Sequence, residues 1–361
     1  MDPRIEKAAR LLTHFCLRIE KGETALLSGS TLAEPWLKAV YVDVLKAGAH
    51  PLLRMSFADQ DELYYKNVKA EYLKQLHPAR VSDSKLADAF LYIDASANTK
   101  GLSGTDPSKQ ALASKAAAPL RKLRHHKKWA ITLFPTAAFA QDAEMSLCDF
   151  EDFVYGAMFC DKADPVAEWM KLKKQQDKMC TRLNKAKKIR IVGVDTDISF
   201  SVAGRSFVNS YGVRNMPSGE VFTSPIENSA NGKIRFSFPV CRGGYEIDDV
   251  RLEFRDGVIV KASAAKNQGY LLKMLDMDAG ARRLGEFGIG NNWGIQRFIK
   301  NILFDEKIGG TIHLAIGSSY PECGGKNVSA LHWDMIKDLR SGGEIYVDGK
   351  LWQKMGRMLA R

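Results

Sequence analysis

Histidine is scarce in this chain, with seven among 361 residues. Cysteine is scarcer, and its six copies (Cys16, Cys148, Cys160, Cys180, Cys241 and Cys323) include no CxxC pair. That spacing excludes a zinc ribbon and a thioredoxin-like redox motif. The cysteines sit mostly among apolar neighbours and read as reduced core thiols of a cytoplasmic protein. No stretch approaches the about eighteen consecutive apolar residues that a membrane-spanning helix needs. Charges interrupt every apolar run of the opening MDPRIEKAARLLTHFCLRIEKGE, so no signal peptide is expected. With 45% apolar and 26% charged residues, the composition is that of a soluble globular protein.

Basic charge is plentiful. The net charge is +11, with a concentration at Lys115, Arg121, Lys122, Arg124, Lys127 and Lys128. Such a cluster suits an anionic partner, but no nucleic-acid motif accompanies it, and a solvated helix face is the better reading.

The length exceeds what one core usually organises, so two domains are expected, 1–185 and 186–361. Ile5, Ala8, Leu12, Phe15, Cys16 and Ile19 recur at helical spacing. A strand at Glu23–Ser28, a helix from Glu34 with Pro35 in its first turn and Gly48 after its end, and a strand at Pro51–Met55 form a βαβ unit. Ala89–Asp94 and Trp129–Phe134 add strands, giving an α/β N-terminal domain with a largely parallel sheet. A charged helix opens at Pro165 and runs to Leu183, with the junction at 184–188. Beyond it, 189–195, 198–202, 234–240, 250–254 and 258–262 are strand-like. Asp256-Gly257 and Asp348-Gly349 are hairpin turns, and helices are expected near 268–276 and 293–303. The C-terminal domain is thus α+β, with an antiparallel sheet expected to curl towards a barrel.

The residues that carry chemistry lie in this second half. His332 and Asp334, two apart, share a face if the backbone is extended. Alone, His-x-Asp more often marks a plain hydrogen-bonded pair. His313 lies in the apolar Thr311–Ile316, where alternation puts it on the face with Thr311 and Ala315. Glu220 and Glu286 each follow a glycine, which permits unusual dihedrals and close backbone approach. Tyr320 follows a Gly-Ser stretch, where a phenol can serve a developing oxyanion. Glu227 and Glu306 are further candidates. The Gly288–Gly294 loop lacks a full GxGxxG and does not read as a nucleotide loop. Imidazoles, carboxylates and a phenol in this number fit a hydrolytic centre for one or two divalent ions.

The ordered set MPSGEVFTSP, GEFGIGNN, DEKIGGTIHLAIGSSYPECGGKN and SALHWDMIKDLR resembles the thermophilic metallo-aminopeptidase family, the aminopeptidase T, aminopeptidase S and PepS group. Phe134–Thr136, Ala140–Ser146 and Asp164–Trp169 extend the resemblance over nearly the whole chain. It implies two divalent metal ions (zinc, cobalt, manganese or magnesium) held by Glu220, Glu286, His313, His332 and Asp334. A further acidic ligand is implied before the His313 strand, Glu306 with Asp305 as the alternative, in a segment longer than in the thermophilic branch. It also implies Glu286 as bridging ligand or general base, Tyr320 as the catalytic phenol, peptide substrates with a free N-terminus, and a homodimer. The rival readings are a metal-dependent amidohydrolase acting on small amides, and a non-catalytic protein whose Lys115–Lys128 face binds an anionic partner.

Overall fold

The βαβ pattern of the first half builds a parallel sheet in the computed structural model, which describes residues 2–359. Its strands are β1 (Thr24–Ser30), β2 (His50–Ser56), β3 (Ala89–Asp94) and β4 (Lys128–Leu133), in the order β2-β1-β3-β4. The helix Glu34–Lys46 joins β1 to β2, with Pro35 in its first turn and Gly48 at φ +74° beyond its end. By contact the chain divides into two units. One runs to Glu168 and includes Gly212–Pro217; the other comprises Trp169–Tyr211 and the chain from Ser218 onward.

The basic cluster lies in the first unit. Lys127 donates to the carbonyls of Ser84, Lys85 and Ala87, Lys128 pairs with Glu23, and Arg124 donates to Ser84 Oγ. Half of the cluster therefore serves the fold of its own unit. Buried cysteines are Cys16, Cys160, Cys180 and Cys323, all thiols; Cys148 departs from the core expectation by being exposed, and Cys241 is half-buried.

The second unit holds the strands β5 (Lys188–Gly193), β6 (Thr196–Ser201), β7 (Val208–Ser210), β8 (Glu220–Thr223), β9 (Asn231–Arg235), β10 (Val240–Arg242), β11 (Tyr245–Ile247), β12 (Arg251–Arg255), β13 (Val258–Ser263), β14 (Leu284–Gly290), β15 (Thr311–Gly317), β16 (His332–Asp338), β17 (Glu344–Val347), β18 (Lys350–Lys354) and β19 (Arg357–Met358). An eight-stranded sheet runs β13-β12-β9-β6-β5-β17-β18-β19, and a five-stranded sheet runs β16-β15-β14-β8-β7. The pairings are antiparallel, as expected, but among the described residues they form separate open sheets and no closed barrel.

Alternation explains the core. Ile191, Ile198, Phe200, Ile234, Leu252 and Phe254 of the larger sheet join Val221, Phe287, Ile289, Ile312, Leu314, Ile316 and Met335 of the smaller one in a single buried cluster. Phe200 and Phe287 meet edge-on, with centroids 5.2 Å apart. Each such side chain contributes about 1.5–3 kcal/mol on burial. Because side-chain period in a strand is two, the opposite face of the smaller sheet must carry the residues between them.

Two expected elements differ. The strand 234–240 is split into β9 and β10, because Pro239 has no N–H for a ladder and Ser237 N donates instead to the Ile336 carbonyl. The helix near 293–303 is replaced by turns and the short helix Ile302–Asp305. There Lys300 adopts φ +62°, Asn292 Oδ1 accepts from Gly294 N, and the Asp305 carboxylate accepts from Ile299 N. Side chains capture the amides that a helix would use.

Candidate metal centre

The face of the smaller sheet away from the core gathers Glu220 at the start of β8, Glu286 on β14, His313 on β15, and His332 and Asp334 on β16. Register aligns them: Gly290 faces Glu220, Gly288 faces His313, Ala315 faces both Glu286 and Asp334, and Gly317 faces His332. The other positions on this face of the central strands are mostly glycine or alanine, which leaves room above the sheet. Gly219 sits at φ +112°, where a Cβ would come within 2.8 Å of Asn292 Cβ, so only glycine admits the turn that delivers Glu220. Gly285 lies where a Cβ would strike the Ser318 carbonyl, beside a register shift just before Glu286.

Both imidazoles are oriented from behind. His313 Nδ1 lies 3.2 Å from the Glu306 carbonyl and His332 Nδ1 lies 2.8 Å from the Ser318 carbonyl. A carbonyl only accepts, so each Nδ1 carries its proton and donates. Each Nε2 is thereby aimed at the carboxylates. His313 Nε2 is 3.4 Å from Glu286 Oε1 and 3.5 Å from Glu220 Oε2. His332 Nε2 is 3.2 Å from Glu286 Oε2 and 3.5 Å from Asp334 Oδ2. Glu286 thus presents one oxygen to each imidazole. Tyr320, packed on Phe222 and with its amide donating to Ser224 Oγ, brings its hydroxyl to 3.3 Å from His332 Nε2.

Three overlapping sets place one donor atom per residue within 4.8 Å of one another: Glu220, Glu286 and His313; Glu286, His332 and Asp334; Glu306, His313 and Asp334. Asp305 joins none of them, because its carboxylate faces the Ile299 amide. Glu227 is also elsewhere, paired with Arg205 and accepting from Lys326 N.

Electrostatics favour a cation here. Burial pushes Glu220 up to about 7, against the pull of Lys307, and pushes Asp334 up to about 6, against His332. Burial also acts to raise Glu286, but the hydrogen bonds and charges of His313 and His332 outweigh it and hold the carboxyl down to about 2. Burial would lower both imidazoles, yet Glu286, Glu220 and Glu306 lift His313, and Asp334 and Glu286 lift His332, each to about 10. Burial keeps the Tyr320 phenol protonated far above its ordinary range, with Glu286 and Asp334 reinforcing it. Glu220 Oε2 and Asp334 Oδ1 are buried and accept no hydrogen bond. Unpaired carboxylate oxygens of this kind are costly, and mixed imidazole and carboxylate donors suit divalent ions of the zinc, cobalt and manganese class. The residues fit a metal.

Two contributors escape a reading of the sequence. Lys307, fully buried, donates to Glu220 Oε1 at 2.9 Å and also pairs with Glu306. Next to Asp305 and Glu306 it looks like part of a surface charge run, and only the apolar residues around it, Phe304 and Ile308, signal burial. Gly288 is the second. A Cβ there would lie 2.0 Å from His313 Cε1, so the missing side chain is the space the imidazole occupies.

Known proteins agree with this architecture. The chain is 28% identical over 355 residues to "Aminopeptidase 2" of Geobacillus stearothermophilus, covering 89% of this chain and 84% of that one. Its fold is that of the solved "Wild-type AmpT from Thermus thermophilus", at TM-score 0.87 and 23% identity over 99% of both chains. The fold extends, at TM-score 0.56 and 16% identity over 99% of this chain and 97% of the other, to a 2,5-dihydroxypyridine dioxygenase from Pseudomonas putida KT2440. Fold alone therefore leaves the reaction open, and the site must decide it. The thermophilic metalloprotease (M29) family model matches residues 1–350, the span that carries every donor described above, and this chain belongs to that family.

Proposed function

We propose that this chain is a metal-dependent aminopeptidase that removes the N-terminal residue from peptides, with two divalent ions held by Glu220, Glu286, Glu306, His313, His332 and Asp334. The observation that carries the reading is Glu286, whose two oxygens face two imidazoles that are each oriented by a carbonyl. That position suits a carboxylate shared between two metal positions. Bound ions supply Lewis-acid polarisation of the scissile carbonyl and a more acidic water.

The chain's own groups do the rest. Where one Glu286 oxygen stays free of metal, the residue would serve as general base in place of bridging: held ionised, it accepts the proton of the attacking water and hands it to the leaving amine. Tyr320 Oη, held protonated, donates a hydrogen bond to the carbonyl oxygen as negative charge develops there. The substrate's free α-amine would be held at the metal centre or by a nearby carboxylate, which confines cleavage to the first residue. The homodimer implied by the family resemblance and the cytoplasmic setting read from the reduced cysteines belong to the same proposal. Among the described residues no helix is long and apolar enough to cross a membrane.

A panel of aminoacyl-anilides beside their N-blocked equivalents tests the reading, with chelation and metal restoration as the second axis. Activity should require both the free amine and the metal. Equal turnover of blocked substrates would move the protein to the amidohydrolases, and salt-sensitive nucleic-acid binding that survives chelation would favour the binding role.

A further inference from the structure

We infer that Lys307 ranks the two metal positions, so that the Glu286–His332–Asp334 position fills first and the Glu220 side fills second and more weakly. This rests on the metal-dependent reading above. The Lys307 ammonium is fully buried and takes Glu220 Oε1 at 2.9 Å and an oxygen of Glu306. Glu220 is left with Oε2 alone, 3.5 Å from His313 Nε2, and cannot offer an ion both oxygens. Among the described residues, the only cationic side chains within ion-pair distance of Glu286 and Asp334 are the imidazoles, which would themselves be ligands.

An ion on the Glu220 side thus shares Glu220 with a fixed positive charge, and buried like charges a few ångströms apart repel strongly. Among the described residues, the carboxylates of the Glu286, His332 and Asp334 position take no ammonium or guanidinium in an ion pair; Arg242, which donates to the His332 carbonyl, acts on Asp334 only from beyond ion-pair distance. The lysine also has a use when metal is absent. It neutralises one of four clustered carboxylates, which would otherwise be buried with too little positive charge.

The test is calorimetric titration of metal-free protein with Mn²⁺ and, separately, Zn²⁺. Wild type should bind two ions in steps separated by about tenfold or more in Kd. Lys307→Met should tighten the weaker step by about tenfold or more and move the tighter one by less than about threefold, while Lys307→Arg should keep the split. Two equivalent ions in wild type, or a weaker step that Lys307→Met leaves unmoved or weakens further, would overturn the inference. If Lys307→Met does not fold, Asp334→Asn decides: loss of the tighter step with the weaker one kept supports the ranking, and equal loss of both overturns it. Protein that binds neither metal sinks the aminopeptidase reading as well, whereas two equivalent ions sink the ranking alone.

Discussion

Replacing Gly288 with alanine should disable the metal centre while leaving the sheet in place. The added methyl would sit 2.0 Å from His313 Cε1 and 2.1 Å from Nε2. Carbon atoms in contact lie about 3.5–4.0 Å apart, so the ring would have to withdraw by roughly 1.5 Å. The imidazole is fully buried and tied through Nδ1 to the Glu306 carbonyl, so withdrawing it breaks that hydrogen bond and moves Nε2 away from the carboxylates. Gly288 does not have positive φ, so alanine adds no backbone strain and the effect is purely steric. Overpacking of this kind costs about 1–3 kcal/mol. Metal affinity should fall by about a hundredfold or more, since even loss of a ligand's supporting contact costs 10–100-fold. Chemical denaturation of the metal-free form measures the first effect and metal titration the second. Gly269→Ala is the control: it lies in the helix Gln268–Leu275 with nothing within 4 Å of the new methyl, and it should stabilise by up to about 1 kcal/mol. A Gly288→Ala protein with wild-type metal affinity would refute the steric account.

Metal loading should release protons. His313 and His332 have pKa values raised to about 10, so both are doubly protonated at pH 7 in metal-free protein and must lose the Nε2 proton to bind an ion. Apparent affinity should therefore rise with pH until about 10 and fall as pH drops; calorimetry at pH 7 in buffers of different ionisation enthalpy should count about two protons from the imidazoles and about half of one from Glu220, and fewer than one in all would contradict the assignment. Tyr320→Phe should lower kcat by about 10²–10³ with metal content unchanged, and a near-normal kcat would remove the phenol from the mechanism. Glu286→Gln should keep the fold and lower turnover by about a hundredfold or more. His332→Ala should lose metal by elemental analysis, and retained stoichiometry would count against its role as a ligand.

The clustering of the candidate donors was legible where their spacing follows strand geometry. Thr311–Ile316 alternates apolar and small residues, and His313 indeed leaves the core face for the opposite one. His332 and Asp334 share a face because the segment is extended. Asp-Gly pairs marked both hairpins, with Asp256 and Asp348 at positive φ. The misses share a cause. Turns at 293–301, the break at Pro239 and the burial of Lys307 are all set by partners distant in sequence, such as Asn292 against Ser218 or Lys307 against Glu220. Local periodicity carries no record of such partners. Gly288 shows the same limit from the other side, since its role is defined by an imidazole on the neighbouring strand.

The donors and the phenol come from different kinds of structure. Glu220, Glu286, His313, His332 and Asp334 stand on four hydrogen-bonded strands, whereas Tyr320 belongs to the connection between β15 and β16. A strand with one face buried cannot shift by one residue without turning that face outward, and this holds for the edge strand β16 as for the central ones, so the proposed ligand set is inherited as a block. A connection can change length or composition without disturbing that register. On the proposed assignment, divergence on this scaffold can proceed by rewriting the loop that carries Tyr320 while the face that gathers the candidate donors is passed on intact.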